Sequence, residues 1–264
     1  MTPNQNPYAR FGTATRADAA IDAGLRSYML QVYNYMAIGL VITGIAALAI
    51  FNLAVTGDAG SAAVINGSPV MVKQGVFLTQ LGLALYASPL KWVVILAPLA
   101  MVFFLSFRVH KMSVSAAQTT FWIYAALVGI SLSSIFLVYT NGSIARVFFI
   151  TAASFGALSL YGYTTKKDLS GWGSFLFMGL IGIIIASLVN YFLASPAMQF
   201  AISVIGVLVF AGLTAYDTQQ IKEMYYEGDD SAVAGRKAVM GALRLYLDFI
   251  NMFIMLLSLF GNRE

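Results

Sequence analysis

The sequence predicts an all-α polytopic membrane protein, a bundle of seven transmembrane helices, on three observations. Hydrophobic residues make up 59% of the 264 residues and charged residues only 10%, against about 25% charge in a soluble globular chain. Seven apolar runs approach or exceed the roughly 20 residues a helix needs to cross ~30 Å of hydrocarbon. The 15 Lys and Arg residues cluster in alternate loops. With a mean hydropathy of +0.80, an ordinary soluble enzyme is not expected, and neither is disorder over most of the length.

Residues 1–27 read as a polar cytoplasmic N-tail, with Pro3, Pro7, Arg10, Arg16, Asp18, Asp22 and Arg26. The run that follows, 28–51, exceeds the ~7–15-residue core of a signal peptide and reads as a retained first span. The remaining spans fall at about 90–107, 115–138, 144–163, 172–193, 198–221 and 239–260, giving a transmembrane domain over 28–261. Between spans one and two lies an outer loop, 52–89. Its first part is rich in Gly, Ala and Ser, with Asp58, Asn66 and Pro69, and reads as exposed. Its short apolar element, 75–87, is only 13 residues long, which suits an interfacial or re-entrant piece better than a crossing. Phe77, Leu81 and Leu85 recur at helical spacing there.

Charge decides the parity. With 75–87 kept out of the bilayer and the N-terminus inside, Arg10, Arg16, Arg26, Arg108, Lys111, Lys166, Lys167, Lys222, Arg236 and Lys237 are cytoplasmic. Lys73, Lys91, Arg146 and Arg263 are outside, and Arg244 falls within span seven. That is the positive-inside bias. An eighth crossing would reverse it for Arg108, Lys111, Lys166, Lys167, Arg236 and Lys237. The net charge of +4 therefore has its origin in topology, and no nucleic-acid partner is expected. Continuous runs of this length favour helices over a β-barrel, whose strands alternate over about ten residues.

Few motifs point to chemistry. Cys is absent and His110 is the single histidine, so thiolate sites and multi-histidine sites are excluded. HExxH and phosphate-loop patterns are missing, and the serines have no histidine partner. No enzyme activity and no resident cofactor are expected. Trp92, Trp122 and Trp172 stand near span starts, as interfacial anchors do. Glu223, Glu227, Asp229 and Asp230 form an acidic patch before span seven and read as a solvated face.

Two acids remain at membrane depth. Asp217, in FAGLTAYDTQQIK, lies five residues before Lys222, about 7–8 Å from that boundary. Asp248, in ALRLYLDFINMF, lies roughly nine residues into span seven, or about 13 Å. A carboxylate at the bilayer centre costs about 2.5–3.5 kcal/mol even on the lenient insertion scale. The two spans run in opposite directions from one loop, so both acids fall in the inner half and can face each other. Such a pair tends to hold one proton between its members. Hard carboxylate oxygens also suit Ca²⁺, though two acids with carbonyls and water make only a weak, transient site. A structural reading stands beside this one: Asp248 pairs with Arg244 at i,i+4, and Asp217 caps the loop or bonds backbone next to Tyr216. Asn251, with Asn190, Gln118 and Ser131, Ser133 and Ser134, reads as helix packing.

The C-terminal third resembles the Bax inhibitor-1 family, or transmembrane Bax-inhibitor-motif family, in its bacterial YccA-like branch. The matching stretches are SLYGYTTKKDLS (159–170), FAGLTAYDTQQIK (210–222) and GALRLYLDFINMFIMLLSLFG (241–261), with weaker agreement through spans one to five. The resemblance implies a seven-helix bundle with the C-terminal helix central, and a carboxylate pair falling on Asp217 and Asp248. It implies a pH-sensitive passive calcium leak, with an arginine near the inner end of span two latching the closed state; Arg108 is the positional match. It also implies a multi-pass location in the bacterial inner membrane, with Ca²⁺ and protons as partners; the apolar spans make the lipid bilayer a partner, and the loop charges put the C-terminus outside. The alternative function is a non-transporting regulator that binds a membrane protein such as a membrane-embedded protease, through the N-tail or the 222–238 loop.

Overall fold

The computed structural model describes the backbone of residues 7–263 and the side chains from residue 23 onward. Seven long helices run through it: α1 (Pro7–Ala54), α2 (Leu90–Arg108), α3 (Val114–Leu132), α4 (Asn141–Thr164), α5 (Ser170–Leu193), α6 (Pro196–Glu223) and α7 (Ser231–Phe260). All seven are long and apolar enough to cross a membrane. A short turn, Ile135–Val138, prolongs α3. The expected N-tail lies largely among residues whose side chains are not described. Its backbone from Pro7 is continuous with α1.

Helix starts are set by side-chain caps. Ser113, Thr140, Ser195 and Asp230 each accept a backbone N–H from the third residue onward, at the starts of α3, α4, α6 and α7. Pro196 stands in the first turn of α6, where its missing N–H costs nothing. These caps move the observed ends outward from the hydrophobic runs. The run for span seven begins near 239, whereas the helix begins at Ser231.

The C-terminal helix is central. α7 packs on α1, α3, α4 and α6, while α2 leans mainly on α3 and α5 on α6. Close approach is built from glycine. A Cβ on Gly162 would collide with the Ala215 carbonyl between α4 and α6, and one on Gly129 would meet the Thr43 carbonyl between α3 and α1.

The segment between α1 and α2 departs from a bare loop plus one apolar helix. Strand β1 (Val55–Thr56) pairs antiparallel with β5 (Val76–Leu78), which also pairs with β4 (Met71–Lys73). A separate hairpin joins β2 (Val64–Ile65) to β3 (Ser68–Pro69). Asn66 and Gly67 turn it with φ of 52° and 80°, the paired positive φ of a tight hairpin turn. Phe77 is therefore in a strand, and helix begins only at Gln80, after Thr79 caps it. It ends as a π turn over Leu83–Ala87, with Ser88 N–H bonded to the Leu83 carbonyl at 3.0 Å. The helical spacing of Phe77, Leu81 and Leu85 does not survive because the Phe77 backbone pairs with strand neighbours on both sides.

This segment stays at one end of the bundle. Lys73 Nζ donates to the Phe136 carbonyl and Tyr86 bonds Ser133. Thr140 N–H bonds the Asn262 carbonyl, and Tyr139 bridges Arg263. The opposite, basic end gathers the other loops: Lys222 Nζ bonds the Tyr163 carbonyl and Arg236 reaches the Met112 carbonyl. Among the described residues, seven helices long and apolar enough to cross a membrane connect the two ends.

Candidate intramembrane carboxylate site

α6 and α7 are antiparallel neighbours joined by a short loop at the basic end, and this places Asp217 opposite Asp248. Each carboxyl lies in the electrostatic field of the other. Two carboxyls that share a site can hold one proton between them. Asp248 is 4% exposed, and Asp217 is half-buried. Asp248 Oδ2 is buried without a hydrogen-bond partner. An open acceptor at this depth is free to take a proton, a water or a cation.

The field of Arg244 reaches both carboxyls. Its own side chain is exposed, one turn toward the basic end from Asp248. Among the described residues no ion pair within 4.0 Å joins Arg244 to either acid; Lys237 with Asp229 is the ion pair seen nearby. Asp248 is therefore turned toward α6 and Asp217 rather than held by its i−4 neighbour. Tyr28 on α1 also senses Arg244 and Asp229, so α1, the 224–230 loop and α7 converge on the mouth of the site.

The other sequence-selected residues lie elsewhere. Arg108 is exposed at the end of α2, and its charge is not among those acting on either carboxyl. α2 rests mainly on α3, and the 109–111 turn that follows it touches α7 near its start. Tyr216 lines a cleft toward α5, with its hydroxyl against Gly173. Asn251 Nδ2 donates to the Leu247 carbonyl of its own helix at 2.8 Å.

Two hydroxyl networks beside the pair were not legible from the sequence. Tyr33 bonds Ser159 at 2.7 Å and Ser159 bonds Thr218 at 2.9 Å, linking α1, α4 and α6 one residue from Asp217. Thr43 points its hydroxyl at the Gly39 and Ala125 carbonyls, so Tyr246 is the donor in their 2.6 Å bond. This second network ties α1 and α3 to α7 two residues before Asp248. The side-chain partners are 59 to 203 residues apart, beyond any local pattern. Toward the other end of the α6–α7 seam, Gln199 Nε2 donates to Ser203 and Ser258, and Asn190 donates to Gln199. A cleft of ≈ 300 Å³ opens there.

The sequence profile of a family described as "Inhibitor of apoptosis-promoting Bax1" matches residues 25–264. The chain belongs to the Bax inhibitor-1 family. Inner membrane protein YbhL of Escherichia coli K12 is 48% identical over 253 residues, covering 94% of this chain and 98% of YbhL. An uncharacterized protein of Caulobacter vibrioides is 48% identical over 259 residues, with 97% of each chain covered. One from Borreliella burgdorferi is 42% identical over 238 residues, covering 90% of this chain and 92% of its own. In this member of the Bax inhibitor-1 family, the 159–170 and 210–222 stretches are therefore the ends of α4 and α6 that frame the carboxylate pair.

Proposed function

We propose that this protein is a passive, pH-sensitive leak for calcium and related cations in the bacterial inner membrane, gated by Asp217 and Asp248. The supporting observation is a buried carboxyl pair, between two antiparallel helices, with one oxygen left open. Deprotonated, the pair attracts a divalent cation; protonated, it loses that charge. The pair brings at most four carboxylate oxygens, so backbone carbonyls and water complete the shell, and the ion is held weakly enough to leave. The polar groups Gln199, Ser203 and Ser258 along the same α6–α7 seam give the pathway its far exit. The positive-inside rule puts the basic end in the cytoplasm and the hairpin end outside, and the name of YbhL agrees with an inner-membrane site.

Arg244 is the cation that competes with Ca²⁺ for the pair in this conformation. The latch by Arg108 requires α2 to move inward toward α6 and α7. The test is Ca²⁺ entry into dye-loaded liposomes carrying the purified protein, across about pH 5–8. Asp217→Asn and Asp248→Asn are expected to cut flux by about tenfold or more and to flatten its pH profile, the scale of a lost buried charge. Wild-type flux with an unchanged profile in both variants would remove the pair from the mechanism. No flux from any form, with capture of a membrane protein by the 222–238 loop, would favour the regulator instead.

A further inference from the structure

A second cleft, of ≈ 400 Å³, lies at the basic end between α4, α5 and α6. Its floor is apolar: Leu158 and Leu176 flank Ala211, Gly212 and Ala215, whose small side chains set back the face of α6. Its rim is charged and aromatic, with Lys167, Asp168 and Trp172. The turn that carries this rim is fixed from below. Gln219, only 5% exposed, donates its Nε2 to the Lys167 carbonyl at 2.9 Å and accepts the Leu169 N–H at 2.7 Å. A buried side chain thus clamps both sides of Asp168.

The charges on the rim are opposite in sign and adjacent. Lys167 Nζ makes no ion pair among the described residues. Asp168 Oδ1 accepts the Ser170 N–H at 2.8 Å, and this bond lowers the carboxyl's pKa and keeps it ionised. Trp172 is 60% exposed, an aromatic face at the depth where bilayer head groups lie.

We propose that this cleft binds a zwitterionic phospholipid whose head group carries a phosphate and a primary ammonium, as in phosphatidylethanolamine. One acyl chain lies along the apolar floor. The phosphate meets Lys167, and the ammonium donates to the Asp168 carboxylate beside the Trp172 ring. A purely anionic head group meets repulsion from Asp168. A choline head group has no N–H to donate.

Native mass spectrometry of the full chain in detergent, titrated with phosphatidylethanolamine, phosphatidylglycerol and phosphatidylcholine of equal acyl chains, tests this directly. Phosphatidylethanolamine is expected to bind about three- to fivefold more tightly than the other two, the scale of interfacial charge pairs. Lys167→Gln weakens phosphatidylethanolamine and phosphatidylglycerol alike. Asp168→Asn keeps an acceptor for the Ser170 N–H and cancels the preference between them. Lys111→Gln, at the same end but away from the cleft, changes neither. Equal binding of the three lipids, or a preference that survives both rim substitutions, would overturn the assignment. Neither result depends on Ca²⁺ flux.

Discussion

α5 and α7 are both 24 residues or longer and both cross the bundle from end to end, yet they are opposites in composition and place. The most apolar 18-residue stretch of α5 has a mean hydropathy of 2.2 and is 17% buried, whereas that of α7 has 1.7 and is 56% buried. α2 takes the contrast further, at 2.2 and 6%. In water the most apolar helix would be the core. In lipid the outer helices face hydrocarbon, so hydropathy reports exposure, and the helix with room for Arg244, Asp248, Asn251 and Ser258 is the innermost. Packing and polar pairing hold α7 in place, because burial from lipid gives no hydrophobic gain.

The sharpest way to break this contrast is to place equal substitutions on the two sides of it. Gly162→Leu, at the α4–α6 contact, forces a side chain onto the Ala215 backbone and should lower stability by about 3 kcal/mol or more. Gly182→Leu on α5, where a Cβ meets nothing within 4 Å, should leave thermal unfolding in detergent unchanged. Phe121→Ala removes a fully buried ring set edge-on to Tyr246 and should cost about 3–5 kcal/mol. Phe192→Ala, at a position 78% exposed, should stay within about 0.5 kcal/mol. If both alanines cost the same, the assignment of lipid-facing and protein-facing helices is wrong.

Smaller effects sharpen it. Tyr246→Phe deletes the hydroxyl that donates to Thr43 and should cost about 1 kcal/mol, with Thr43 still bonded to the Gly39 and Ala125 carbonyls. Asp168→Ala at the start of α5 should have the least effect. The Ser170 N–H lowers the Asp168 pKa, so its stabilisation is present above the ordinary carboxylate value and lost as pH falls through the lowered one. The difference in melting temperature between wild type and Asp168→Ala should therefore be small near neutrality and vanish in acid.

Much of this was legible in the sequence because the bilayer imposes length and polarity together. The seven long apolar helices, and the grouping of the 75–87 segment with one end of the bundle, follow from counting apolar residues. Asp217 and Asp248 stood out because few ionisable groups lie at that depth. What sequence could not reveal has particular causes. Strands of two or three residues, such as Val55–Thr56, are too short to show an alternating pattern, although Asn66-Gly67 marks the hairpin turn. The i,i+4 spacing of Arg244 and Asp248 suggested an ion pair, whereas Arg244 is exposed, Asp248 is buried, and no ion pair within 4.0 Å joins them among the described residues. Gln219 reads as one more polar residue near a span end, and its clamp on the 165–169 turn depends on how α4 and α6 meet.

The central position of α7 bears on how the protein is made. A ribosome delivers the seven spans in order, and the one with the most neighbours emerges after the other six. Until it does, Thr43, Ile221 and Phe155 line a space that only lipid or another helix can fill. The packing of this bundle is thus completed only when α7 fills the space between α1, α3, α4 and α6.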